Sequence, residues 1–180
     1  MNQMFGDVTN YKNSGDWLYL VTGATVVDLL VIIMTKYPGK HPMFGVTALN
    51  DWYTRFGALA AASDILSALI GIFFARLIYA QIGGSVWAFI AAILGFQIFH
   101  DLLFYVGVIV PLPKGHNEMI DVFKAYAAEN GHTILFADAG ILLGTAGIGS
   151  VLKGLPEHYT TGTLFIALYA LCYILYTRSA

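Results

Sequence analysis

The chain has 180 residues, of which 58% are apolar and 11% are charged, with 9 Lys and Arg, 11 Asp and Glu and a formal net charge of −2. An ordinary soluble domain is about 45–50% apolar and about 25% charged, so these charges are too few to cover the surface of a soluble fold of this length. The scattered cations also exclude a basic surface for nucleic acid. The sequence therefore predicts an all-α polytopic transmembrane helical bundle, in contact with the lipid bilayer.

Five stretches are apolar over about the 20 residues that a helix needs to cross a bilayer. A polar segment, residues 1–16, precedes them, and residues 17–180 are predicted to form a single transmembrane bundle. Pro38, Gly83, Pro111 and Pro156 stand beside the predicted ends, where Gly and Pro commonly stop helices. The fifth stretch is the shortest and needs local bilayer thinning or interfacial tyrosines to cross. The predicted spans are residues 17–35, 57–79, 85–110, 133–152 and 162–177.

Two connections between these spans are long enough to contain structure of their own. In the first, residues 36–56, Asn50 is predicted to be the N-cap of a helical lead-in to the second span. In the second, residues 117–129 are predicted to form a short amphipathic interfacial helix, which Gly131 ends. Its apolar stripe is expected to lie on the bilayer surface or on the bundle.

The distribution of Lys and Arg favours a topology with the N-terminus outside and the C-terminus inside. The inner side then carries more cations than the outer side. Arg76 lies near the outer end of the second span, and its long side chain is expected to extend outward. The inner cations are Lys36, Lys40, Arg55, Lys114, Lys124 and Arg178, and the outer cations are Lys12, Arg76 and Lys153.

One aspartate lies in each of the first four spans, namely Asp28, Asp64, Asp101 and Asp138. Successive spans run in opposite directions, and these positions place all four about 8–14 Å below the predicted inner helix ends. Each would cost about 2.5–3.5 kcal/mol near the bilayer centre, so all four are expected to face the bundle interior. Either they form a proton or cation site with the neighbouring His100, or they are hydrogen-bonded pins between helices. Their matching depth favours the first interpretation.

The other patterns in the sequence are weaker indications of function than the four aspartates. Gly140, Gly144 and Gly147 give the fourth span a stripe of small residues that predicts close helix packing. His100 beside Asp101 does not predict a metal site, because adjacent helical residues point about 100° apart and no further ligand motif accompanies them. No catalytic residue or cofactor is predicted. The lone cysteine excludes an internal disulfide and a CxxC redox pair.

Several segments within residues 50–140 resemble uncharacterised multi-span membrane proteins encoded by large and giant DNA viruses. The most specific is residues 111–131, and shorter ones are residues 50–53, 100–105 and 134–138. That family often has a serine after the last aspartate, where this chain has Ala139. The resemblance implies a virus-encoded protein in an internal virion membrane or a host membrane. It implies viral structural proteins or further copies of the chain as partners, and it supplies no catalytic residues.

Three functions follow from these patterns. The first is a small channel or transporter whose four aspartates bind or relay protons or cations while His100 titrates nearby. The alternative is a structural membrane protein of a viral inner envelope. The third is a lipid-modifying enzyme that uses the carboxylates and His100 as acid–base groups, which predicts a cleft open to lipid. An enzyme is the less favoured class.

Overall fold

The computed structural model describes residues 5–37 and 47–177, and Pro38, Lys40 and Arg178 lie outside these residues. The described residues form seven α-helices and one π-helical turn, Tyr105–Ile109, with no strand in either range. The predicted all-helical bundle is therefore confirmed. The helices are α1 (Asp16–Lys36), α2 (Thr47–Phe56), α3 (Ala58–Ile82), α4 (Val86–Phe104), α5 (Glu118–Asn130), α6 (Thr133–Lys153) and α7 (Glu157–Ile174).

Four of the described helices, α1, α3, α4 with its π-helical extension, and α6, are long and apolar enough to cross a membrane. They match the first four predicted spans closely. The predicted fifth span corresponds to α7, which begins earlier, at Glu157, and is not among the four because its first two turns are polar. It nevertheless packs along α1, and the Tyr176 hydroxyl just beyond it lies beside Gly57, between α2 and α3.

Helix α1 is central, because it packs against α6, α7 and α3, while α3 pairs with α4. Its closest approach to α6 is at Gly23, where an added Cβ would lie 2.6 Å from the carbonyl oxygen of Thr145 and 3.1 Å from the nitrogen of Gly149. Only a residue without a side chain lets two helix backbones approach this closely. The bundle is therefore assembled around a glycine contact between α1 and α6.

The packing face of α6 differs from the predicted glycine stripe. A Cβ added at Gly144 would meet Val27 of α1 at 3.1 Å, so Gly144 does lie in the contact. Gly140 and Gly147 are exposed, and a Cβ added at either would meet no atom within 4 Å. The GxxxG spacing therefore did not identify the face of α6 that packs on α1. That face lies opposite Gly23 and includes Thr145 and Gly149.

Helices α2 and α5 pack together at one end of the bundle, which we call the α2–α5 end. Gly131 follows α5 with a φ of 54° that favours glycine, as the sequence predicted. Asn117, predicted as the first residue of this helix, is instead its N-cap, and its side chain accepts from the backbone nitrogens of Met119 and Ile120. Glu129 of α5 accepts hydrogen bonds from the backbone nitrogens of Thr47 and Ala48 at 2.9 and 3.0 Å. Its carboxylate thus caps the N-terminus of α2 and ties the two helices together.

At this end, the predicted packing of the apolar stripe of α5 is observed, but the predicted N-cap is not. The apolar stripe of α5 lies on the bundle, with Ile120 and Val122 buried and Phe123 in contact with Trp52. Asn50 is not the N-cap of the lead-in, because α2 begins earlier, at Thr47, and extends past it. The connection before the second span is thus a separate short helix.

A buried ionic cluster closes the opposite end of the bundle. Asp16 and Arg76 are fully buried and form an ion pair at 2.9 Å, and the Lys153 amine lies 2.6 Å from the other oxygen of Asp16. The N-terminal segment packs over this cluster, where Gly6 and Ser150 exchange hydrogen bonds of 2.8 and 2.7 Å. Asp16 thus pairs with two cations from other helices, one at each carboxylate oxygen.

The expectation that Arg76 extends outward is wrong. Its guanidinium stays inside, where it donates to the backbone carbonyl oxygens of Asn10 and Asn13 as well as to Asp16. The N-terminal segment covers the helix end and supplies acceptors for Nη2, while Nε and Nη1 are buried without a hydrogen-bond partner among the described residues. A polar N-terminal segment without periodicity gives no sequence signal for such docking.

Candidate functional site

Three of the four predicted aspartates line a single cavity of about 780 Å³. Asp64 comes from α3, Asp101 from α4 and Asp138 from α6, so each belongs to a different membrane-spanning helix. Gln97 and His100 line the same cavity, and residues of α2 and α5 complete its wall. The sequence-predicted convergence therefore involves three helices directly.

The depth of the aspartates follows from the observed helix ends. At 1.5 Å per residue, Asp64 lies about 9 Å from the start of α3 and Asp138 about 8 Å from the start of α6. Asp28 lies about 12 Å from the end of α1. These values fall in the predicted layer, and all three helix ends are at the α2–α5 end.

Asp101 and Asp138 are close enough for their carboxyl groups to interact directly. A hydrogen bond between two carboxyl groups requires a proton on one of them, because ionised carboxylates only accept. With one proton, the pair would carry a single negative charge, an arrangement typical of acid dyads. The Gln97 side-chain amide donates to the same Asp101 carboxyl, one helical turn away.

Asp64 is held by two donors from α2. The Trp52 indole nitrogen lies 3.0 and 3.2 Å from its two oxygens, and the Tyr53 hydroxyl donates to it at 2.8 Å. A carboxyl group that receives two hydrogen bonds is well suited to carry its negative charge. Helix α2 therefore orients Asp64 and partly compensates its burial.

Asp28 does not line the cavity but connects to it through Tyr53. The Tyr53 hydroxyl lies 3.3 Å from one Asp28 oxygen, and the other oxygen is buried without a hydrogen-bond partner among the described residues. A phenol has a single proton, and the shorter contact assigns it to Asp64. The longer contact then leaves room for a proton on Asp28, with the Tyr53 oxygen as its acceptor.

Tyr53 keeps its proton at any ordinary pH. Burial, followed by the charges of Asp64 and Asp28, raises the pKa of Tyr53 well above its usual value. The hydroxyl therefore remains a donor that bridges two aspartates from α1 and α3. The four predicted aspartates thus form two separate pairs, one joined by Tyr53 and the other made of Asp101 and Asp138.

His100 lies at the margin of the cavity. Its Nδ1 is 3.2 Å from the second oxygen of Asp101, and its ring stacks between Phe96 and Phe104 on the same face of α4. The side chain is partly exposed, unlike Asp28. His100 thus links Asp101 to the partly exposed margin of the cavity.

The cavity is lined by acidic side chains, without Lys or Arg among the described residues. The acidic residues are Asp64, Asp101 and Asp138. Among the described residues, no group of three or more His, Cys, Asp and Glu is arranged to hold a metal ion. The acidic lining therefore favours positive charge in the cavity.

The site residues predicted from the sequence did not include Trp52, Tyr53 or Tyr126. Burial, followed by the neighbouring Asp138, Asp64, Glu129 and Asp101, raises the pKa of Tyr126 far above its usual value, so it too stays neutral. One sequence signal could have found the first two. Trp52 and Tyr53 are adjacent aromatic residues that each carry a hydrogen-bond donor, and they directly precede the span that contains Asp64.

No family model, curated protein or solved structure matches the chain.

Proposed function

We propose that this chain is a small integral membrane protein whose buried carboxyl groups bind and relay protons or inorganic cations. One observation carries the proposal: Asp64, Asp101 and Asp138 from three spanning helices line one cavity without a Lys or Arg among its described lining residues. Intramembrane acidic groups are costly, and this arrangement suits ion or proton pathways. A neutral packing role would not need the acids to share a cavity.

The proposed path for protons runs through two pairs of carboxyl groups, Asp101 with Asp138 and Asp64 with Asp28. His100 exchanges a proton with the surroundings and passes it to Asp101, whose other neighbour is Asp138. Asp64 and Asp28 are joined by the Tyr53 hydroxyl, which can accept from one carboxyl while it donates to the other. The cavity between Asp64 and the Asp101–Asp138 pair would be crossed by water or by the cation itself.

We propose the membrane setting from the sequence resemblance and the cation distribution. The chain would be virus-encoded and located in an internal virion membrane or a host membrane, together with viral structural proteins or further copies of itself. The N-terminus would lie outside and the C-terminus inside. The α2–α5 end, and with it the carboxyl layer, would then face the inner side.

Reconstitution of the purified chain in proteoliposomes tests the transport proposal. An imposed membrane potential is expected to drive pH-dependent proton or cation flux above that of empty liposomes. Asp64→Asn and Asp101→Asn should each lower this flux at least tenfold, because the amide keeps the side-chain size but cannot carry the charge or exchange the proton. Flux is measured with an internal pH-sensitive dye and with ion-selective electrodes.

The matched control is Asp51→Asn, an exposed aspartate of α2 that does not line the cavity. It is expected to leave the flux unchanged. The proposal fails if correctly folded wild-type protein gives no flux over a range of pH and cations. It also fails if the Asp51 and Asp101 variants lose flux equally.

A structural role, as in a viral inner envelope, is the second candidate. It is favoured by the hydrogen bonds that tie Asp64 of α3 to Trp52 and Tyr53 of α2. Such interhelical bonds contribute about 0.6–2 kcal/mol each in membrane proteins. If the aspartates act only in this way, Asp64→Asn lowers thermal stability while no flux is found in any variant.

A further inference from the structure

The carboxyl-lined cavity is larger than a proton or a metal ion needs. Its volume is about 780 Å³, whereas one water occupies about 30 Å³ in the liquid. Sites for small organic molecules span about 300–1,000 Å³ and are mostly apolar with a few polar groups. The cavity therefore has the size of an organic ligand site.

The lining of the cavity is aromatic as well as acidic. Among the aromatic residues around it are Trp52, Phe96, Phe104, Phe123 and Tyr126. Aromatic faces attract cations, and carboxylates attract them more strongly when water is excluded. Because no Lys or Arg is found among its described lining residues, a positive charge from a ligand would be the natural counterion.

Gln97 supplies an observation that is independent of the acids. The residue is only 3% exposed and lines the cavity, its amide nitrogen donates to Asp101, and its side-chain oxygen has no hydrogen-bond partner among the described residues. A buried amide oxygen without a donor is costly. Once a rotation of the Gln97 amide turns this oxygen toward the cavity, a ligand that brings an N–H group would satisfy it.

The cavity also reaches the surface of the bundle in its apolar belt. Leu66 and Ile70 of α3 and Leu102 of α4 line it, and they are 58%, 50% and 54% exposed. In the membrane this surface faces lipid rather than water. A ligand dissolved in the bilayer can therefore enter between α3 and α4 without crossing a charged surface.

We propose that the cavity binds a hydrophobic organic ammonium ion that bears at least one N–H and enters from the lipid. The ammonium group lies between Asp101, Asp138 and the Gln97 oxygen, while its apolar part packs on the aromatic wall. The inference rests on the proposed function, since it uses the same acidic cavity as a site for positive charge. It adds the class of substrate that the site accepts.

A three-ligand comparison on the full chain in lipid nanodiscs tests the inference. The probes are 4-phenylbutylamine, the neutral 4-phenylbutanol and the quaternary trimethyl(4-phenylbutyl)ammonium. Binding is followed by calorimetry and by the change in intrinsic tryptophan fluorescence, to which Trp52 in the cavity wall contributes. The primary amine is expected to bind saturably and at least tenfold more tightly than the alcohol, with the quaternary ion in between because it lacks an N–H for Gln97.

Two variants identify the groups responsible. Asp138→Asn is expected to weaken amine binding at least tenfold, and Gln97→Leu to remove the preference for the primary amine over the quaternary ion. Asp51→Asn is the control and should bind as the wild type does. The comparison among the three probes on wild-type protein needs no variant to fold.

Equal binding of the amine and the alcohol, or the absence of saturable binding, would overturn the inference. Carboxyl-dependent flux without amine binding would overturn it while leaving the proposed function intact. Amine binding that depends on Asp138 without any proton or cation flux would instead overturn the proposed relay and leave the ligand site standing.

Discussion

Replacing Arg76 by methionine is expected to lower the free energy of unfolding by about 3–5 kcal/mol, because it breaks a buried ion pair and removes the donor to the backbone carbonyls of Asn10 and Asn13. Arg76 and Asp16 are both fully buried and 2.9 Å apart. Methionine fills a similar volume, so the loss is one of charge rather than of packing. Lys153 remains beside Asp16 but pairs with its other oxygen only.

The measurement is equilibrium unfolding in mixed detergent micelles, with Arg55→Met as the matched control. Arg55 pairs with Glu118 at 3.4 Å, and both side chains are exposed. An exposed pair contributes about 0–1 kcal/mol, so the control should change stability little. Adding Asp16→Asn to Arg76→Met should restore part of the lost stability. Similar losses in the two single variants would contradict the buried cluster.

Gly23→Ala is expected to destabilise the bundle by about 1–3 kcal/mol or more, because overpacking between helices forces them apart. The added Cβ would lie 2.6 Å from a backbone oxygen of α6, which cannot turn away as a side chain could. The same substitution elsewhere in a helix is normally stabilising by roughly 0.5–1 kcal/mol. Thermal unfolding followed by circular dichroism measures the difference.

Gly147→Ala on α6 provides the control for this substitution. It lies on a spanning helix, is exposed, and its added Cβ would contact no atom within 4 Å. It is expected to be neutral or slightly stabilising. If Gly147→Ala proves the more damaging change, the helix contact lies on the other face of α6 and the fold described above is wrong there.

The spanning helices could be predicted from the sequence because their signal is local. Hydropathy and helix-stopping residues place the ends of α1, α3 and α6 within a few residues. The inward orientation of the aspartates follows from the cost of charge in hydrocarbon, which does not depend on knowing the partners. The end of α5 at Gly131 is equally local.

The partners of these groups could not be predicted, because they come from distant parts of the chain. The hydrogen bonds of Asp64 to Trp52 and Tyr53 depend on the angle at Gly57, which has a φ of 51° between α2 and α3. The cap on α2 comes from Glu129 on another helix. No periodicity in either segment specifies such contacts.

The partners in the ionic cluster at the opposite end could not be predicted from the sequence either. Asp16 was part of a polar N-terminal segment and Arg76 a cation near a helix end, and nothing in their spacing joins them. Their pairing depends on how α1, α3 and the N-terminal segment pack in three dimensions. A single charge near a helix end is compatible with either an outward or a buried side chain, and tertiary packing decides between them.

Thiol cross-linking tests most directly whether acidic positions of separate helices converge in one cavity. In a Cys172→Ala background, Asp101→Cys and Asp138→Cys are introduced together, and a short thiol-to-thiol cross-linker is added to the protein in membranes. Leu103→Cys with Phe136→Cys is the control pair, since both residues are exposed and lie on the same two helices. We predict efficient intramolecular linkage of positions 101 and 138 and little linkage of the control pair. No linkage of positions 101 and 138, or equal linkage of both pairs, would contradict the account.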